Sequence, residues 1–187
     1  MADKRNLDNA AIMSAAAELV EETSFEALTL NTLAARLGVK PPSLYNHVAG
    51  IDDVRRGLAE LVAARMSTAI QTAAVGRSED EALTEMAHAY RRFATSHPEL
   101  YRAFLSARQL GADSSLSLVA DTLRRVLAAY HLNATDEDNF IRIFHSGLYG
   151  FAALTNLGVF ASDVDASFDA LVASLLAVLH MMKEATL

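Results

Sequence analysis

The sequence predicts an all-α protein of about nine helices, and three observations carry that expectation. Alanine, leucine and other strong helix formers dominate a chain of 187 residues that is 52% apolar. No stretch alternates apolar and polar residues over β-branched positions, the pattern of a half-buried strand. Most glycines fall between periodic segments, where they end helices instead of weakening them.

Taken in order, helix 1 is expected from about Leu7 to Glu22, with Ile12, Ala16 and Leu19 on one face, and "TSFEALT" breaks it. Thr29 is an N-cap for a short helix 2 whose Leu33 and Leu37 sit one turn apart, and Gly38 supplies the left-handed residue that ends it. Helix 3 begins at Pro41 and Pro42 and ends near Val48. Helix 4 follows from Ile51 to Ala74, with Asp52 and Asp53 complementing the dipole of its first turn. "VGRSED" separates it from helix 5, Asp80 to Ser96, and Pro98 opens a short helix 6 to about Leu105. Helix 7 is placed over Ser115 to Tyr130, helix 8 over Glu137 to Leu157 and helix 9 over Ala166 to Glu184. No internal repeat or low-complexity segment interrupts them.

Composition narrows the setting. Cysteine is absent, so neither a disulfide framework nor a thiolate metal site is available, and a reducing cytoplasm is the simplest compartment. "MADKRNLDNA" lacks the apolar core of a signal peptide, and no run is expected to reach the roughly 20 apolar residues of a membrane span. The net charge of -7 argues on average against a nucleic-acid partner, because phosphate attraction comes from lysine and arginine. One window differs: from Ala27 to Ile51 there is no acid, only Arg36, Lys40 and the titratable His47.

That window contains two of the three prolines, side by side in "LAARLGVKPPSLYNHVAG", Leu33 to Gly50. Proline inside a helix costs about 3 kcal/mol, but at the first helical positions its missing N–H is no loss and its fixed φ suits the turn. The pair therefore marks a beginning. A helix, a short glycine-containing turn and a second short helix form the helix-turn-helix unit, which places its second helix in a DNA major groove. Leu44 and Val48 face inward at i and i+4, leaving Pro42, Ser43, Tyr45, Asn46 and His47 outward. Serine and tyrosine hydroxyls suit phosphates, an asparagine amide suits a base edge and a proline ring suits a thymine methyl. A helical hairpin that only packs has the same pattern, so the residues alone leave both readings open.

"LTLNTLAARLGVKPPSLYNHVAGIDDVRRGLAEL", Leu28 to Leu61, resembles the DNA-binding domain of the TetR family of bacterial transcriptional repressors, with the glycine, the Leu-Tyr pair and both flanking helices in register. The resemblance implies a DNA-binding domain over residues 1–50 and a helical ligand-binding and dimerisation domain over 51–187, with helix 4 joining them. It implies phosphate contacts from Thr29, Tyr45 and His47, and places Asn31, Pro41, Pro42, Ser43 and Asn46 nearest the bases. Two positions depart from the family pattern. Ile51 stands where a lysine commonly opens the linking helix, and Asn31 where a basic residue is frequent, so the resemblance implies either weaker DNA binding or greater reliance on Lys4, Arg5 and Lys40.

"YGFAALTNLGVF", Tyr149 to Phe160, is similar to the H-G-F-x-x-L-x-x-x-G-x-F signature of the WHG type of TetR C-terminal domain, with Tyr149 in place of histidine and His145 in place of tryptophan. The family's last two helices pair across a twofold axis, which implies a homodimer, with Gly147 and Gly150 allowing close approach. It also implies a cavity among helices 4 to 8 for a small-molecule effector. Met66, Met86, Tyr90, Phe93, Tyr101, Phe104, His145 and Tyr149 are its candidate lining, with plain core packing the alternative role for each, and Tyr149 and His145 foremost because a buried hydroxyl or imidazole needs a partner. Apolar stripes are expected at Phe140, Phe144, Gly147, Phe151 and Leu154 and at Phe168, Leu171, Leu175 and Leu179. An enzyme is the competing class, because "EMAH", Glu85 to His88, has the Glu-x-x-His spacing of di-iron carboxylate bundles. Only one such motif is present, and no phosphate loop or nucleophile elbow accompanies it, so no cofactor or metal is expected. A ligand-binding dimer with degenerate DNA binding is the remaining alternative.

Overall fold

The computed structural model describes residues 7–106, 113–160 and 164–186, which among them contain helices and no strand. Lys4 and Arg5, named above as possible cationic support, lie outside the described residues. The helices are α1 (Asn9–Glu22), α2 (Leu30–Leu37), α3 (Pro41–Leu44), α4 (Ile51–Ala74), α5 (Glu79–Ser96), α6 (Pro98–Ser106), α7 (Asp113–Leu127), α8 (Ala134–Asn156) and α9 (Val164–Thr186). A 3-10 turn over Ala128–Tyr130 follows α7. The all-α expectation holds, and α4 has the limits the sequence predicts.

Differences at helix ends have local causes. Asp8 caps α1 by accepting from the Ala11 amide at 2.8 Å, so that helix starts at Asn9. α8 starts three residues earlier than expected because Asn133 accepts from the Asp136 amide at 2.9 Å. α3 is shorter than expected: its helical run stops at Leu44, and the chain continues in a turn through His47.

The chain divides into two compact units, Met1–Arg65 with His97–Leu116 and Met66–Ser96 with Ser117–Leu187. In the first, α1 packs on α2 and on α6, and α2 packs on α3. Its core holds Ile12, Ala16, Val20, Leu28, Leu33, Leu44 and Leu58, all fully buried. α6 joins this unit through buried Leu100, Tyr101 and Phe104 and through polar ties to the turn after α1. The Phe25 amide donates to Glu99 at 2.9 Å, and Arg102 meets Glu26 at 3.0 Å. These compact units therefore differ from a cut at residue 50.

In the second unit α5 packs on α8 and α9, and α8 packs on α9. The buried stripe of α8 is Phe140, Phe144, Leu148 and Ala152, whereas Leu154 is exposed, so the stripe follows i, i+4 more closely than expected. On α9, Phe168, Val172, Leu175 and Leu179 are buried. A β-carbon at Gly147 would stand 3.5 Å from Leu171 and from Leu175, so this glycine sits at the α8–α9 contact; Gly150 has open space before it. One expectation is corrected here: Val164–Ala185 is long and apolar enough to cross a membrane by length and composition, with 22% of its most apolar 18 residues buried inside the chain. Much of the exposed surface is alanine and serine, at Ala166, Ala170, Ala173, Ser174 and Ala177.

Candidate nucleic-acid interface

The candidate interface is built by short-range chemistry. Thr29 and Thr32 close a capping box: the Thr32 amide donates to the Thr29 hydroxyl oxygen at 3.1 Å, and the Thr29 amide to that of Thr32 at 3.0 Å. Gly38 adopts φ +67° and donates its N–H back to the Ala34 and Ala35 carbonyls, which ends α2. Lys40 then leads in extended conformation into Pro41 and Pro42, the first two residues of α3. Because φ is preset by the rings, this four-residue helix needs little intrinsic propensity. The Val48 amide bonds the Leu44 carbonyl at 3.0 Å and the His47 amide bonds it at 2.9 Å, holding the following turn against the core. The Ala49 amide donates to Asp53 at 3.0 Å, so the chain enters α4 at a fixed angle. That bond holds the Asp53 carboxyl below its usual range, with Arg56 helping against partial burial.

Leu44 and Val48 are buried, as predicted. Tyr45 is 60% exposed, and Thr29, Asn31, Lys40, Pro42, Asn46 and His47 are exposed as well. Pro41 and Ser43 are half-buried. None of the side chains of Asn31, Lys40, Ser43, Tyr45, Asn46 and His47 makes a hydrogen bond or ion pair with another described residue. The hydroxyl of Thr29 is already engaged by its capping box, which makes it a structural group first.

The charge of this region is smaller than the acid-free window implied. Arg36 donates to Glu22 at 2.6 and 2.9 Å and to Glu18 at 2.9 Å, both on α1. These bonds hold its guanidinium charged well beyond any accessible pH and neutralise it locally. Arg56 pairs with Asp53, and Arg55 lies over the Phe25 ring at 5.5 Å with its Nη2 3.4 Å from the Leu28 carbonyl. Among the described residues before Glu60, Lys40 is the cation without a carboxylate partner. Local sequence gave no signal of the Arg36 clamp, because its partners lie 14 and 18 positions away.

The effector candidates fall in both units. Tyr101 and Phe104 stack at 6.1 Å between ring centroids in the first unit, fully buried. Met66, Met86 and Tyr90 are buried and Phe93 is half-buried in the second. There Tyr90 meets His145 edge-on at 6.2 Å, and His145 meets Tyr149 at 6.4 Å. Burial pushes the His145 imidazole below its ordinary pKa, so near neutrality it is uncharged, with one donor and one acceptor nitrogen. Tyr149 does not meet the expectation of a buried hydroxyl: it is 43% exposed, because position 149 turns off the buried stripe of α8.

The Tyr149–Phe160 segment has structural explanations for most of its motif. Phe151 packs on Phe160 and on Phe168 at 5.2 and 5.1 Å, with Arg91 over both Phe151 and Phe168. Gly158 takes φ +69° and closes α8, and Asn156 donates to the Ala94 carbonyl at 3.0 Å. The Glu-x-x-His candidate is engaged otherwise. His88 stands edge-on to Phe168 at 5.3 Å and 3.4 Å from Asp169, and no group of three or more potential metal ligands occurs among the described residues.

Two helices joined by a glycine-ended turn, their apolar sides buried and the outer side of the second lined with polar groups lacking internal partners, define a helix-turn-helix protein of the nucleic-acid-binding class. Known sequences narrow the class. Residues 12–54 match the family model described as bacterial regulatory proteins, tetR family, and residues 83–175 match the tetracyclin repressor-like C-terminal domain. The chain is 34% identical to the HTH-type transcriptional regulator Rv0681 of Mycobacterium tuberculosis, over 91% of this chain and 81% of that one. It is 28% identical to the HTH-type transcriptional regulator YobS of Bacillus subtilis, over 88% and 87%. The chain belongs to the TetR family of bacterial transcriptional regulators, a family of ligand-responsive, DNA-binding repressors. A crystal structure of a TetR variant from Acinetobacter baumannii AYE in complex with minocycline shares its fold, with a TM-score of 0.73 at 22% identity over 97% of this chain and 99% of that one.

Proposed function

We propose that this regulator is a cytoplasmic, non-enzymatic homodimeric repressor that holds a palindromic operator through α3 and the turn after it, and leaves when a small molecule binds. The observation that carries the reading is the outer surface from Lys40 to His47: exposed polar groups without internal partners, set on α3 and the turn after it, where Leu44 and Val48 are buried. Solvated decoration would not need two prolines to start so short a helix, whereas a groove reader needs that stiffness. Tyr45, His47, Lys40 and Thr29 serve the phosphates; Asn31, Pro41, Pro42, Ser43 and Asn46 lie toward the bases. Residues 1–50 act as the DNA-binding part and 51–187 as the regulatory part. α4 contributes residues to both compact units and is the route between them.

Dimerisation through α8 and α9 is supported by what those helices leave uncovered. The small-residue face of α9 and the open space before Gly150 suit close approach of a second copy, which would also cover an apolar helix that the single chain leaves mostly exposed. Twofold symmetry then sets two half-sites about 34 Å apart or a multiple of that. For the effector, the Tyr90–His145–Tyr149 ladder of the second unit offers aromatic faces and a neutral imidazole, with Met66, Met86 and Phe93 of the same unit as further candidate contacts; Tyr101 and Phe104 pack in the first unit. A ligand that prefers one of two conformations shifts the population away from the operator-binding one.

The test is selection of bound duplexes from a random pool by the full chain at moderate salt. Enrichment of a palindrome, with a complex of two chains per duplex and loss of enrichment on Tyr45→Ala, is the expected result. Failure to enrich any site would favour a ligand-binding dimer without sequence recognition and would sink the proposal.

A further inference from the structure

The chemistry of the exposed surface bears on which base pairs it can recognise. The commonest specific contact in the major groove is arginine or lysine bidentate to guanine O6 and N7. Among the described residues this surface has no arginine free to make it. Arg36 on α2 is held by Glu18 and Glu22, and Arg55 and Arg56 are engaged at the start of α4. From Pro41 to Val48 there is no lysine or arginine at all, and Lys40 precedes the helix at its cap position.

What remains is selective in the other direction. Asn46 is exposed and its amide has no partner among the described residues. An asparagine amide presents one acceptor and one donor in a plane, the complement of adenine N6 and N7. Pro42 exposes a rigid apolar ring with no polar group, which suits the thymine C5-methyl and offers nothing to a guanine or cytosine edge. Pro42 lies on the proline-begun α3, and Asn46 lies in the following turn held by the His47 and Val48 amides on the Leu44 carbonyl, which limits the freedom of both and keeps the ordering cost of the contact small.

Resting on the proposal that this face reads DNA, we infer that each operator half-site is recognised through A·T pairs: Asn46 bonds an adenine at N6 and N7, Pro42 packs on a thymine methyl, and Lys40 serves the phosphate backbone. The full chain is titrated onto its selected duplex carrying single-atom base changes, with folding of each variant checked by thermal melting. Replacing one adenine per half-site by 7-deazaadenine should weaken binding on the order of tenfold, and Asn46→Ala should remove that sensitivity. Replacing one thymine by uracil, which deletes only the methyl, should cost roughly fourfold per half-site, and Pro42→Ala should remove it. If instead 7-deazaguanine substitution weakens binding tenfold while adenine and thymine changes are silent, or if the sensitivities persist in the variants, the inference is overturned and the DNA-binding reading stands. Absence of any sequence preference in the selection overturns both.

Discussion

Lys40→Ala isolates the electrostatic part of operator binding. Of the described cations before Glu60, Arg36, Arg55 and Arg56 are each engaged by carboxylates or a carbonyl, which leaves Lys40 as the one free to displace counterions from DNA. Each neutralised phosphate contributes about 0.9 to the slope of log affinity against log salt. A dimer losing two such contacts should lower that slope by about 1.8. Between 50 and 200 mM salt the variant's deficit should therefore shrink by about tenfold. Fluorescence anisotropy of a labelled operator over a salt series measures this directly. Arg36→Gln is the control. Because its guanidinium is held by Glu18 and Glu22, it should weaken binding only through domain stability and leave the salt slope unaltered. A slope unchanged in Lys40→Ala, or reduced in Arg36→Gln, would refute the charge assignment.

Three further outcomes are expected. Asp80 on α5 accepts from the Tyr130 hydroxyl at 2.6 Å and lies 2.8 Å from His180 of α9. Burial raises its pKa, but these bonds more than reverse that and leave it below the ordinary value. Its stabilising contribution is thus complete above the unfolded carboxylate pKa and is lost as pH falls through the folded one, so below about pH 4. Denaturant titrations should show wild type losing more stability on acidification than Asp80→Asn; equal losses would deny the coupling. Gly147→Ala places a β-carbon in ordinary contact at 3.5 Å from Leu171 and Leu175, and relief of a glycine inside α8 should stabilise the chain by about 0.5–1 kcal/mol in a thermal melt. Destabilisation would mean the α8–α9 contact has no room. Ala177→Glu alters a side chain exposed in the single chain, so the fold should persist while sedimentation shows monomers; an undisturbed dimer would place the interface elsewhere.

The parts of the molecule legible in its sequence are those built from neighbours along the chain. Thr29, Gly38 and the two prolines act within four positions, so the limits of α2 and the start of α3 follow from capping and turn chemistry. The inward position of Leu44 and Val48 follows from helical period. Contacts between distant segments were not legible. Nothing local points from Arg36 to Glu18 and Glu22, and the packing of α6 with α1 was not legible because its ties to Phe25 and Glu26 span more than 70 positions. Tyr149 is named as cavity lining through the resemblance and not through helical period, and its position lies off the buried stripe of Phe140, Phe144, Leu148 and Ala152.

The chain lacks cysteine, which makes a direct measurement of groove entry available. A single His47→Cys substitution carrying an iron chelate, bound to the selected operator, generates local strand cleavage wherever that position lies. Two cleavage clusters should appear, one per half-site, separated by about 10 base pairs or a multiple of that. Cleavage no stronger or more localised than that from the same chelate at exposed Arg125 would contradict the placement of this turn against duplex DNA.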